Sequence, residues 1–299
     1  MESYNPHQEQ SSAIEKMVLH KSYLEQLPSV EKILSDIEQA AANGTSEAAI
    51  LLREANLVDK IKELKDKIVL LDKSEVLELL YRSNYDHSED PDLSNLESVM
   101  REYENKAGSR VTNGETSKIR VFLYAFEIST RNDFARAKFL QTLIHELLHE
   151  LAYKQTHNLV RQSGFSQDHP QYIVPDLMWL DEAITERLTQ GLSSDVILGS
   201  EEWQGVFSFL NKEESDEIKF ETYKSERSRL SELTQQIMDA CSPYKNESNE
   251  QVQDTSLVFM ENFGKPYFKG DFSFLENNIK ELGYEDVLEL DSLSPSASI

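Results

Sequence analysis

A single cysteine, Cys241, leaves no partner for an intrachain disulfide, a composition that fits a reducing compartment. No apolar run approaches the length of a membrane span. The first residues, Met1-Glu2-Ser3-Tyr4-Asn5-Pro6, have neither the basic nor the apolar region of a signal peptide. Together these absences predict a soluble cytosolic protein. Basic residues are also scarce: 30 Lys and Arg against 54 Asp and Glu leave a formal charge of -24. Such a surface repels nucleic acid and anionic membranes, so neither is an expected partner. It suits a solvated acidic face, or basic protein substrates.

What is present reads as globular. Hydrophobic content of 39% with 9% aromatics does not suggest wholesale disorder. A chain of 299 residues buries a sizeable core, as one large domain or two modest ones. From about Gln10 to Ala107 apolar positions recur at three and four, as in Ile14, Met17, Val18 and Leu24, and again in Ile61, Leu64, Ile68 and Leu71. This predicts a series of helices, punctuated by Pro28, Asn43-Gly44 and the stretch Asp86 to Pro91. Gly108 stands where a helix over Glu102 to Ala107 would be capped. The pattern then changes: Asn113-Gly114 is a turn signal, and Ile119 to Phe126 is rich in β-branched and aromatic residues. A short hairpin is expected, its second strand over about Lys118 to Ala125. That strand feeds the next helix, Asn132 to Tyr153, and could pair with an extended substrate. Further helices are expected from Pro175 to Leu188, ending before Gly191, then over about Glu201 to Leu210, Asp216 to Ala240, Gln251 to Phe263 and Phe272 to Leu282.

The segment that names a chemistry is His145-Glu146-Leu147-Leu148-His149. HExxH on a helix sets two imidazoles one turn apart on one face, a geometry that chelates zinc and leaves Glu146 free to handle a water at the metal. Leu140, Leu143, Leu147 and Leu151 form a separate stripe suited to a core. The bland alternative is a pair of hydrogen-bonded core or surface histidines.

A catalytic zinc wants a third protein ligand. The metzincin continuation fails, because Ala152 and Gln155 stand where it needs Gly and His. His157 and His169 remain open. Glu182 lies on the helix that begins near Pro175, with Glu186 one turn on, so that one carboxylate could bind metal while the other fixes a ligand histidine. Acidic pairs of this kind are common in so acidic a chain.

HELLHEL followed by Pro175-Asp-Leu-Met-Trp179-Leu180-Asp181-Glu182-Ala183-Ile184-Thr185-Glu186 resembles the gluzincin metallopeptidases of the thermolysin-like zincin superfamily. There HExxH on one helix is joined by a Glu from a second, which often reads Pro, then Trp-Leu-x-Glu-Gly or Glu-Ala, with an acidic residue four places later. Ala183 departs from the commoner Gly. The likeness lies between Lys118 and Gly191, and the helical flanks carry none. It implies Zn2+ on His145, His149 and Glu182, with Glu146 as general base and proton donor to the leaving amine. It also implies an oxyanion donor, for which Tyr172 is the first candidate and His169 and Tyr223 follow. Asp181 and Glu186 would orient the ligand histidines, while Glu150 would point away from the metal.

The expected fold is α+β and mainly helical. A helical N-terminal region over residues 1–108 leads into a zincin-like catalytic core over 109–290, with a small β-sheet beside the HExxH helix and helices following. Residues 291–299 are expected to form a mobile tail. The expected function is a zinc metallopeptidase acting on protein or peptide. Peptide deformylases also use HExxH but need an upstream Cys, and Cys241 lies downstream. The alternative of a different class is a helical interaction scaffold with a degenerate or structural zinc site. Oligomeric state has no sequence signature here. The acidic stretch Glu281 to Asp291 with its Ser-rich end is similar to C-terminal export signals of effectors delivered by bacterial type IV secretion systems.

Overall fold

The computed structural model describes residues 27–71, 75, 108–113, 116–123, 132–155, 161–163, 166–168, 178–203, 224–241, 254–269, 275, 277–278 and 281. The C-terminal tail, His157, His169, Tyr172 and Tyr223 lie outside them. The described residues are mostly helical, with two small three-stranded sheets. None of their helices is long and apolar enough to cross a membrane.

Helix α1, Val30–Asn43, begins where the Ser29 side chain accepts from the Lys32 amide and ends at Gly44. Its buried positions, Ile33, Leu34, Ile37, Ala40 and Ala41, recur at helical spacing. Asp36 on the same face is buried too, accepting from Trp203 Nε1 at 3.2 Å and Ser200 Oγ at 3.4 Å. Helix α2, Glu47–Glu54, is capped by Ser46 in the same way as α1. A short helix α3, Lys60–Glu63, runs through a 3-10 turn, Leu64–Lys67, into strand β1, Ile68–Leu71.

That strand corrects the helical expectation. Ile61 and Leu64 are helical, but Ile68 and Leu71 belong to a four-residue apolar run in extended conformation. A short continuous apolar run is not assigned to helix or strand by periodicity alone, and β-branched Ile68-Val69 tips it. Strand β3, Thr116–Phe122, pairs in parallel with β1, Ile68 opposite Ile119 and Leu71 opposite Phe122. On its other side β3 pairs antiparallel with β2, Gly108–Asn113, Gly108 opposite Val121 and Asn113 opposite Thr116. Gly108 therefore opens a strand, and the helix expected over Glu102 to Ala107 lies outside the described residues. The strand order is β1-β3-β2, so β3 has both edges occupied and cannot take up an extended substrate. Among the described residues, β2 is the strand beside the next helix that keeps an edge unpaired.

Helix α4, Asn132–Leu151, carries HExxH and packs against β2 and β3. Three-residue strands β4, Tyr153–Gln155, β5, Arg161–Ser163, and β6, Ser166–Asp168, follow as an antiparallel sheet that no sequence pattern announced. Helix α5, Met178–Gly199, is the hub: α1, α2, α4 and helix α6, Lys224–Ala240, all pack on it. It is buried on several faces, through Leu180, Ala183, Ile184, Leu188, Leu192 and Val196, and carries a buried polar row of Asp181, Thr185, Thr189 and Ser193 at intervals of one turn.

The helix was expected to stop before Gly191 and does not. A Cβ at 191 would lie 3.0 Å from Ser46 Cβ, so this glycine admits the start of α2 rather than ending α5. Nor does a helix end at Phe263. Helix α7, Thr255–Phe259, opens into a π turn over Met260–Gly264 and continues as helix α8, Lys265–Lys269. The wider turn carries the chain through Gly264 and Pro266 and buries Tyr267 and Phe268. One hydrophobic cluster joins residues from Ile33 to Leu275, so the regions on either side of Gly108 share a core as well as a sheet.

Candidate metal centre

Helices α4 and α5 lie against each other, and their facing polar residues form the site. His145 and His149 are one turn apart on α4, with ring centroids 4.8 Å apart at 75°. Their Nε2 atoms are 3.1 Å apart. Glu182, just past the first turn of α5, brings Oε2 to 3.0 Å from His145 Nε2 and 3.4 Å from His149 Nε2. Among the described residues this is the group of His, Cys, Asp and Glu side chains placed to hold a metal ion together. A tetrahedral ion with ligand distances of about 2.0–2.1 Å needs donor separations of roughly 3.3–3.4 Å. The observed triangle is within a few tenths of an ångström of that.

The remaining imidazole nitrogens face carboxylates. His145 Nδ1 lies 3.6 Å from Glu186 Oε2, and His149 Nδ1 lies 3.5 Å from Asp181 Oδ2. Glu186 is held in turn by Gln190 Nε2 at 3.1 Å. Carboxylates behind ligand imidazoles fix ring orientation and raise basicity.

No family model, curated protein or solved structure matches this chain. The site therefore rests on its own geometry and charge.

Burial disfavours charge on His149, but Asp181 and Glu182 outweigh it and hold the imidazole pKa well above the usual histidine value. At His145 burial is likewise overcome, by Glu182 and Glu186, and the shift is upward. Burial would raise Glu182, yet the two histidines drive it far below the ordinary carboxylate range. Glu182 is thus ionised at any physiological pH, and the group as a whole favours positive charge between the helices. The donors are not sealed off: side-chain exposures of 14%, 11% and 21% for His145, His149 and Glu182 leave an approach from solvent.

Glu146 is buried, at 8% exposure, and faces the sheet side. Its Cγ and Oε1 lie 3.0 Å from where a Cβ on Gly108 would stand, and Thr142 Cγ2 lies at 2.9 Å. The missing side chain at the start of β2 is what gives the Glu146 carboxyl its room. Glu150 takes no part in the donor group. It accepts from Lys67 Nζ at 2.6 Å and Ser117 Oγ at 2.5 Å, while Lys67 Nζ reaches Ser117 Oγ at 3.1 Å. This network fastens the last turn of α4 to β3 and to the 3-10 turn before β1.

Sequence reasoning brought together His145, His149, Glu182, Asp181 and Glu186. It missed Thr185 and Tyr267. Thr185 Oγ1 and Tyr267 OH are each 3.5 Å from His149 Nδ1 and 2.7 Å from one another. Thr185 had a signal, one turn past Asp181 on a helix otherwise rich in apolar residues. Tyr267 had none, being 118 residues from His149.

Proposed function

We propose that the chain is a zinc-dependent endopeptidase of the gluzincin type, cleaving protein or peptide substrates at a centre of His145, His149 and Glu182. The observation that carries this reading is the convergence of two Nε2 atoms and one carboxylate oxygen, with a second carboxylate behind each imidazole. Two imidazoles and a carboxylate suit zinc, and catalytic zinc takes three protein ligands with one position open. The chemistry supplied by an ion held there is Lewis acidity, which polarises a carbonyl and acidifies water.

The chain's own residues do the rest. Glu146 takes a proton from the attacking water as the new C–O bond forms. It returns that proton to the amine nitrogen as the C–N bond breaks. Glu186 and Asp181 keep the ligand rings oriented. The edge of β2 that is unpaired among the described residues, starting at Gly108 beside Glu146, offers backbone groups along which an extended peptide would lie with its scissile bond near the donor group. A small sheet whose edge strand lies along the HExxH helix supports a zincin-like core. Tyr172 is the proposed oxyanion donor.

The test is zinc per chain by elemental mass spectrometry, with peptide hydrolysis measured in parallel. Wild type should hold about one zinc, Glu182→Ala much less, and Glu146→Ala the wild-type amount with hydrolysis lost. Zinc undiminished in Glu182→Ala would move the third ligand elsewhere and remove the gluzincin assignment. No zinc after reconstitution would favour the helical interaction scaffold.

A further inference from the structure

The hydroxyls behind His149 form a chain with a direction. Thr185 Oγ1 lies 2.7 Å from the Asp181 carbonyl oxygen, which can only accept, so the threonine proton is committed there. Tyr267 OH lies 2.7 Å from Thr185 Oγ1, whose proton is already used, so tyrosine donates to threonine. The Tyr267 oxygen then has lone pairs alone to offer His149 Nδ1, 3.5 Å away. Asp181 Oδ2, at 3.5 Å from the same nitrogen, is an acceptor as well. Each oxygen that the described residues place around Nδ1 therefore accepts from it. Tyr267 is 1% exposed and on the far side of the ring from the donor group, so it does not touch substrate.

Resting on the zinc reading above, we infer that Tyr267 and Thr185 are positioning residues that hold His149 with its proton on Nδ1 and its Nε2 lone pair directed at the metal. The order of the two hydroxyls is what does this. Thr185 draws the tyrosine proton away from the imidazole. Without Thr185, Tyr267 can turn its O–H toward Nδ1 and stabilise the opposite tautomer, whose proton sits on Nε2 where metal must bind.

That reversal gives a test that a packing role would not pass. Zinc Kd is measured by competition with a chromophoric chelator for wild type, Tyr267→Phe, Thr185→Val, Thr185→Ser and the Tyr267→Phe/Thr185→Val pair. Far-UV circular dichroism and melting of the metal-free proteins are the fold controls. Tyr267→Phe, which leaves Asp181 in place, should weaken zinc about 10-fold, and Thr185→Val should approach about 100-fold. The double variant should return to the Tyr267→Phe level, because the misdirected hydroxyl is gone, and Thr185→Ser should bind like wild type. Unchanged affinity in Tyr267→Phe, or a double variant no tighter than Thr185→Val, would overturn the inference. Wild type that binds no zinc would instead overturn the proposed function and this inference with it.

Discussion

Lys67→Met tests how the HExxH helix is anchored, without reference to any activity. Lys67 Nζ meets Glu150 Oε1 at 2.6 Å, and the two side chains differ sharply in environment: 41% exposed for Lys67, 3% for Glu150. Stranding one member of a fully buried pair costs about 3–5 kcal/mol, whereas an exposed pair is worth about 0–1 kcal/mol. Water can replace part of the ammonium on its open side, and Ser117 still donates to the carboxylate, so about 2 kcal/mol is expected between those limits. With an unfolding entropy of about 2.1 cal/mol/K per residue over 299 residues, Tm should fall by about 3 °C. Adding Glu150→Gln removes the stranded charge, so the double variant should recover about half of the loss. The assay is thermal melting of metal-free wild type, both single variants and the double, read as a double-mutant cycle. Lys67→Met melting with wild type, or a double variant no more stable than Lys67→Met, would refute this account of the anchor.

Three further outcomes are expected. Gly108→Ala places a methyl 2.9 Å from Thr142 Cγ2 and 3.0 Å from Glu146 Oε1; zinc content should hold while peptide turnover drops about 10- to 100-fold, since misplacing a catalytic group by about 1 Å costs on that scale. Chelation should abolish hydrolysis and zinc should restore it, and zinc at about 100 times its Kd should raise Tm by about 4 °C in a melting scan, from about 2.7 kcal/mol of linkage. Asp36→Ala removes the acceptor of a buried indole N–H; a loss of about 2 kcal/mol, or about 3 °C in Tm, is expected from the unsatisfied donor, and an unchanged Tm would count against it.

The features legible in the sequence were those written in short-range spacing. HExxH declares its face by i,i+4 alone, whereas Glu182, with Asp181 and Glu186 beside it, was singled out through the resemblance to gluzincins, because acidic pairs at helical spacing are common in this chain. What stayed hidden depends on partners distant in the chain. Ile68 and Leu71 fit a helix until Ile119 and Phe122 are set opposite them. With β1 taken for helix, β3 looked like an edge strand, whereas both its edges are paired. Gly191 read as a stop because nothing nearby reveals that Ser46 needs the space. Tyr267 reaches His149 through a π turn that has no sequence signature.

The strand order β1-β3-β2 also constrains how the molecule is made. Strand β1 leaves the ribosome before β3, whose Ile119 pairs with its Ile68. At about 5–20 residues per second, β1 waits about 3–10 s for that partner. During that wait the nascent chain exposes an apolar strand and the unmatched faces of α1 and α2, which are covered only when α5 emerges later still. The parallel pair is the slowest closure in the sheet, while the HExxH helix, which lies on β2 and β3, waits for α5 to bring Glu182. The candidate donor group therefore assembles late in synthesis, and α1, α2 and β1 are the segments most in need of protection until then.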